Sequence, residues 1–318
     1  MCRSVLCAAD RQYSVHCNRH MQTSITSEYV ASLIPHRPPD AHKGVFGHLF
    51  TVAGSPGFTG AATLACEGAL RSGVGLVTLG LPESLNPIME VKVTEAMTLP
   101  LPETAQHTLS RAAAEPALNF SEKCSAAALG PGISHEGETS RFVHRFLEQV
   151  RLPAVVDADG LNSLAENLDT LKARPAATVL TPHPGEMWRL TGKPVADIQR
   201  NRQSCAVAFA QRWNVVLVLK GAGTVVASPD GNVMLNTTGG SGLASGGTGD
   251  ILTGLIGGLL AQGVPPMDAA VIAVYLHGLA GDIVAGELTE WAMVAGDVVR
   301  ALPRAWKYVT GGRRGSGQ

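Results

Sequence analysis

The run Gly239-Gly240-Ser241-Gly242-Leu243-Ala244-Ser245-Gly246-Gly247-Thr248-Gly249-Asp250 leads directly into the apolar stretch Ile251 to Leu260. Glycines keep side chains off the backbone, so successive N–H groups can approach a phosphate, and a following helix adds the positive end of its dipole. The run has the composition of an anion cradle closed by a carboxylate, with Gly246, Gly247, Thr248 and Gly249 as the candidate anion hole. Asp250 has two readings. It can serve the helix N-terminus, where a carboxylate complements orphan N–H groups. It can also accept the proton of an alcohol attacking phosphorus while those N–H groups stabilise the transferring phosphoryl.

Four other segments combine glycine with reactive residues: Gly54-Ser55-Pro56-Gly57-Phe58-Thr59-Gly60, Gly130-Pro131-Gly132, His183-Pro184-Gly185-Glu186 and Lys220-Gly221-Ala222-Gly223-Thr224. Each follows a strand-like run, and in an open parallel sheet ligands bind beyond the carboxyl ends of the strands. A Rossmann site fits poorly. Gly54, Gly57 and Gly60 are spaced G-x-x-G-x-x-G, and Gly80-Leu81-Pro82 stands where an acidic residue should end the second strand. A P-loop also fails, since no Lys-Ser/Thr pair follows the last glycine of the run.

The elements that must hold these segments alternate from Val45 onward as in a parallel sheet with crossover helices. Strands are expected at 45–54, 74–81, 125–130, 153–159, 177–182, 215–220 and 224–228, with a turn before another at 233–236. Helices are expected at 60–72, 138–150, 196–213, 251–262, 267–284 and 292–308, and 90–123 is left open. The unit runs from 40 to 310, preceded by an extension, 1–39, that is disordered or begins upstream of a true start near Met21, and followed by a flexible tail, 311–318.

Composition narrows the partners. Lys plus Arg number 25 against 26 Asp plus Glu, so no basic field points to nucleic acid and small molecules are the expected ligands. The 36 glycines exceed the usual share of about 7%, as many tight strand-to-helix turns require. Cys2, Cys7 and Cys17 crowd the N-terminus while Cys66, Cys124 and Cys205 stand singly. No disulfide framework emerges, and a reducing compartment, the cytoplasm, is expected. His16, Cys17 and His20 match no common zinc spacing. The apolar region 251–285 is broken by Pro265 and Pro266, which favours two buried helices over a membrane span.

Gly247-Thr248-Gly249-Asp250 after a glycine-rich loop resembles the ribokinase-like superfamily. In order along the chain come His42-Lys43-Gly44, Ala53-Gly54-Ser55, Leu129-Gly130-Pro131-Gly132, Val156-Asp157-Ala158-Asp159-Gly160, Leu180-Thr181-Pro182-His183-Pro184-Gly185-Glu186, Leu219-Lys220-Gly221, Gly246 to Asp250 and Tyr275-Leu276-His277-Gly278. Together these resemble the ADP-dependent NAD(P)H-hydrate dehydratases over nearly everything from Asp40 to Lys307. The resemblance implies a ribokinase-like three-layer α/β/α sandwich with a mainly parallel central sheet. The implied lyase dehydrates the S epimer of hydrated NADH or NADPH, using Mg²⁺ and ADP, with ATP as the alternative.

By the same carry-over Asp250 is the catalytic base and contacts substrate together with Ala61, Gly132 and His183. Gly249 and Lys220, Gly221, Ala222, Gly223 and Thr224 bind the adenine nucleotide. Glu186 stands where related sugar kinases carry the Glu of an Asn-x-x-Glu motif involved with magnesium, with His183 replacing the Asn. It has two readings, magnesium binding through water and a helix cap. Asp157 and Asp159 likewise suit either metal-held water or a turn and cap, and His277 suits a hydrogen-bonded packing role. The family further implies a homo-oligomer, with a tetramer among the options, and an epimerase partner that the first forty residues are too few to contain. Two rivals remain: a ribokinase-like small-alcohol kinase of vitamin metabolism, and a non-catalytic nucleotide-binding module.

Overall fold

In the computed structural model, which describes residues 23–311, the strand-like runs assemble into one ten-stranded sheet. The strands are β1 (Thr23–Ser24), β2 (His48–Val52), β3 (Leu76–Pro82), β4 (Met97–Leu101), β5 (Ala126–Leu129), β6 (Ala154–Val156), β7 (Thr178–Leu180), β8 (Val216–Leu219), β9 (Thr224–Ala227) and β10 (Val233–Asn236). Their order is β1-β10-β9-β8-β7-β6-β5-β2-β3-β4. Only β9 runs against the others, paired antiparallel to both β8 and β10.

The helices are α1 (Ser27–Leu33), α2 (Thr59–Leu70), α3 (Asn86–Lys92), α4 (Ala114–Ser121), α5 (Gly137–Gln149), α6 (Ala158–Glu166), α7 (Asp169–Ala173), α8 (Pro184–Thr191), α9 (Val195–Arg200), α10 (Arg202–Trp213), α11 (Thr248–Ala261), α12 (Pro266–Leu288) and α13 (Ala295–Thr310). They cover both faces, because strand side chains alternate sides. Val216 and Val218 join the core beneath α1–α3 and α11–α13, while Leu217 and Leu219 join the core beneath α4–α10. This is the three-layer α/β/α arrangement that the resemblance implies.

From β2 the chain winds outward through β3 and β4, then returns to β2's other side and continues through β5 to β8. That reversal opens a crevice at the carboxyl ends of β2 and β5, the place where such sheets bind ligands. The loops after the two strands are joined there, since the Gly54 N–H donates to the Pro131 carbonyl at 2.9 Å. Helices α2 and α11 approach so closely that a side-chain carbon on Gly254 would lie 2.0 Å from the Ala65 carbonyl oxygen. Small residues at this contact therefore fix the start of α11 against α2.

Several expectations are corrected. The stretch expected as a disordered extension contributes β1 and α1, with β1 parallel to β10 and Val30 buried against the core. The helix expected over 196–213 is two, α9 and α10, broken at Asn201, whose backbone (φ −128, ψ 38) is not helical. The region left open contains β4 and α4. Pro100 is tolerated because β4 is the edge strand, where a missing donor costs no ladder bond. The 23-residue α12 is long and apolar enough to cross a membrane, but 72% of its most apolar window is buried in the fold. His16, Cys17, His20 and the tail from 312 lie outside the described residues.

Candidate active site

The glycine-rich run ends at Gly247, the N-cap of α11, whose φ of +94 is a conformation that glycine adopts without strain. No side chain caps the helix, leaving its first N–H groups without intrahelical partners. The run is held from behind. Asp282 accepts from the Gly239 N–H at 3.0 Å, and Glu290 accepts from the Ser241 N–H at 3.0 Å and hydroxyl at 2.8 Å. The Thr248 hydroxyl donates to the Leu243 carbonyl at 2.8 Å, so Thr248 offers a ligand its backbone N–H and not its side chain. A side chain on Gly246 would meet nothing within 4 Å, which marks the open mouth of the cradle.

Asp250 stands in the first turn of α11. Its carboxylate has no hydrogen bond among the described residues, so no cap bond occupies it, while its place in the first turn still complements the helix dipole. Burial, then the charge of Asp157, pushes its carboxyl up to about 7 despite the opposing Lys220; Asp159 and Glu186 add to the rise.

Beside it lies a charged cluster drawn from three strand ends. Lys220 Nζ is 2.7 Å from Asp157 Oδ1 and 3.8 Å from Glu186 Oε2. Asp157 is 1% exposed, and its other oxygen accepts from the Thr253 hydroxyl at 2.7 Å. Burial pulls the Lys220 ammonium down, but Asp157, Glu186 and Asp250 outweigh it and hold the group above its ordinary value. A side-chain carbon on Gly249 would lie 3.4 Å from Lys220 Nζ. Lys220 and the start of α11 thus face one another, as expected for two parts of a phosphate site.

The loop after Lys220 depends on Arg202, which the sequence reading did not single out. Its Nη2 donates to the Leu219 carbonyl at 2.8 Å and lies 3.2 Å from that of Gly223. Thr224 Oγ1 closes the turn on the Gly221 carbonyl at 3.0 Å. Gly221 and Ala222 are exposed at its tip. A guanidinium bonded to carbonyls of one loop was detectable from sequence only as an arginine opening a helix.

The expected substrate contacts form two groups. Ala61 and Gly132 adjoin, since a carbon on Gly132 would lie 3.1 Å from Ala61 Cβ and 2.6 Å from Phe58 Cβ. Their crevice borders the charged cluster, because a carbon on Gly130 (φ +127) would lie 1.9 Å from the Asp157 carbonyl oxygen. His183 caps α8 instead of standing free. Its Nδ1 accepts from the Gly185 and Glu186 N–H groups at 2.9 and 3.2 Å, and Nε2, on the outer edge of a half-exposed ring, lies 3.5 Å from Glu186 Oε1. His277 is buried under α11, hydrogen-bonded to the Thr248 backbone, and burial drops it to about 4.

Glu186 completes the capping box by accepting from the His183 N–H at 2.7 Å. The cap reading is thus realised through Oε2, and a contact with magnesium through water would fall to the other oxygen. Among the described residues no three His, Cys, Asp or Glu side chains gather as a ligand set, and Glu186 serves both its helix and the cluster around Lys220. Asp159 is similarly used, accepting from the Ser134 N–H at 3.0 Å and from Asn162 at 3.2 Å. Neither the cavity of about 270 Å³ beside Trp306 nor that of about 520 Å³ beside Arg174 includes any of these residues.

Comparison with known proteins agrees with this geometry. A family model described as NAD(P)H-hydrate dehydratase matches residues 49–304. A bifunctional NAD(P)H-hydrate repair enzyme from Moorella thermoacetica is 46% identical over 91% of this chain and 54% of its own length. An ADP-dependent (S)-NAD(P)H-hydrate dehydratase from Bacillus subtilis is 38% identical over 89% of this chain and 97% of its own. The chain therefore spans about half the length of the bifunctional relative and nearly all of the shorter one. A crystal structure of the ADP/ATP-dependent NAD(P)H-hydrate dehydratase from Bacillus subtilis, co-crystallised with ATP and Mg²⁺, superposes with a TM-score of 0.77 at 33% identity, covering 91% of this chain and 99% of that one. Sheet order, glycine cradle and sequence identity converge, and the chain belongs to the NAD(P)H-hydrate dehydratase family.

Proposed function

We propose that the chain dehydrates the S epimer of hydrated NADH and NADPH, with ADP as the phosphoryl donor and ATP as the alternative. The observation that carries this reading is Asp250. A carboxyl held up to about 7, without a hydrogen bond and beside the N–H groups of a helix start, suits proton acceptance during phosphoryl transfer at neutral pH. In this reading the ring hydroxyl attacks the terminal phosphorus, Asp250 takes the hydroxyl proton, and the bond from that phosphorus to the bridging oxygen breaks. The resulting ester leaves as inorganic phosphate with the carbon–oxygen bonding pair. The neighbouring ring carbon gives up a proton, and the double bond returns.

The N–H groups of Gly246, Gly247, Thr248 and Gly249 would bear the charge of the transferring group. Lys220 and the loop to Thr224 would hold the nucleotide, while Ala61, Gly132 and the outer edge of His183 would border the hydrated ring. When bound, magnesium lowers the charge of the nucleotide phosphates. With no three-residue ligand set among the described residues, it would enter with them, and no step above depends on it. The names of the Bacillus subtilis and Moorella thermoacetica relatives support the reaction class. A cytoplasmic homo-oligomer, fed with the S form by an epimerase, is the setting we assign.

The test is incubation with the S hydrate of NADH, Mg²⁺ and either ADP or ATP, following reduced-nicotinamide absorbance and the fate of the phosphate. Regained absorbance with free phosphate is expected. A stable phosphorylated alcohol from another substrate would mark a kinase, and binding without turnover a nucleotide sensor; either overturns the proposal.

A further inference from the structure

Asp157 occupies the N-cap position of α6, yet its side chain makes no capping bond there. The carboxylate turns instead toward two other elements, accepting from Lys220 Nζ and from the Thr253 hydroxyl, each at 2.7 Å. Thr253 Oγ1 also lies 3.1 Å from the Gly249 carbonyl. The backbone is strained at this point, because Ala158 has a φ of +48, a left-handed conformation that non-glycine residues rarely adopt. A good capping residue that leaves its own helix uncapped, next to a strained alanine, indicates that the carboxylate is needed elsewhere.

Its surroundings suggest where. Lys220 pairs with Asp157 and Glu186 and makes no salt bridge with Asp250 among the described residues. Glu186 and Asp250 are nevertheless within electrostatic reach of the ammonium. Remove the nearest anion, and these two compete for the ammonium. An ammonium paired with Asp250 would make that carboxylate a weaker base.

We propose that Asp157 is a positioning residue: it holds the Lys220 ammonium opposite Gly249 and out of a salt bridge with Asp250, and Thr253 ties it to α11. This rests on the reading of Asp250 as the base. The groups whose charge acts on Asp250 are Asp157, Lys220, Asp159 and Glu186; those that respond to Asp157 also include His183.

The test compares wild type, Asp157→Asn and Thr253→Val in pH–rate profiles and in direct ADP titration. For Asp157→Asn, turnover should fall by about 100-fold, as expected for a misplaced catalytic group, and the acidic limb should move down by about one pH unit. An unmoved limb would make Asp157 merely structural. Thr253→Val keeps the charge but cuts the tie to α11, so ADP binding should weaken severalfold; unchanged affinity would overturn the proposal even if Asp157→Asn does not fold. Failure of wild type to turn over hydrated NADH would instead overturn the functional reading, leaving the ADP titration to judge this one.

Discussion

The Thr253 hydroxyl donates to Asp157 Oδ2 at 2.7 Å, joining the second turn of α11 to the carboxyl end of β6. The bond connects residues 96 positions apart and sets the phosphate cradle against the cluster containing Lys220. Through Asp157 the start of α11 and the Lys220 ammonium share one hydrogen-bonded link, the fixed spacing that catalysis by positioning and electrostatics requires.

Asp250→Asn should retain ADP affinity within about threefold while losing turnover by about 10²–10⁴-fold, the usual contribution of a general base. Calorimetric ADP titration beside steady-state rates checks both halves. Near-normal turnover would return Asp250 to a structural role.

The Asp250 carboxyl, pushed up to about 7 first by burial and then by Asp157, must be deprotonated to act. Turnover should therefore rise with pH through about 7 and level off above it. Stability follows the opposite direction. The folded state keeps this proton to higher pH than the unfolded chain, where an aspartate titrates near about 3.9, so the native state binds more protons between the two values. The group's contribution is full below about 4 and is lost as pH rises through about 7. Asp250→Asn should thus melt higher than wild type at pH 8, on the order of 2 °C or more, with the difference closing toward pH 4. Melting curves of both proteins across this range would decide it.

Gly249→Ala and Gly254→Ala should fail in opposite ways. A methyl on Gly249 meets Lys220 Nζ and Asp157 Oδ2 at ordinary contact distances, 3.4 and 3.7 Å, so stability should hold or rise by about 0.5 kcal/mol while ADP binding weakens. A methyl on Gly254 would lie 2.0 Å from the Ala65 carbonyl oxygen, and forcing α2 and α11 apart should cost about 1–3 kcal/mol or more. Denaturant unfolding and ADP titration of the two variants separate ligand space from helix packing.

The glycines that the sequence marks at strand ends do sit there, and part of their reason is local: Gly54, Gly130 and Gly132 have positive φ. What sequence could not reveal were contacts made across the fold. Thr253 looks like one more residue of an apolar helix until β6 brings Asp157 to it. Arg202 acquires its role only when β8 and β9 place three carbonyls around its guanidinium. The same applies to β1, two residues long, which has no pattern of its own and forms because β10 offers an edge. Glu186 was legible as both cap and metal ligand, and the hydrogen bond from the His183 N–H establishes the cap.

His183 should separate fold from substrate recognition. His183→Ala removes the acceptor that caps α8 and should cost about 1 kcal/mol. His183→Asn restores a capping acceptor and should recover the melting temperature, yet it should keep a raised KM for the hydrate because the outer edge of the imidazole is gone. Recovery of both by Asn would limit His183 to capping.

The central claim is that this chain repairs hydrated coenzyme by phosphorylation and elimination with Asp250 as the base. The most direct measurement is the time course of reduced-nicotinamide recovery from the S hydrate of NADH with ADP and Mg²⁺, with released phosphate quantified in the same samples. One phosphate should be released per coenzyme restored, with both signals abolished in Asp250→Asn. No recovery with either ADP or ATP, or recovery undiminished in Asp250→Asn, would contradict it.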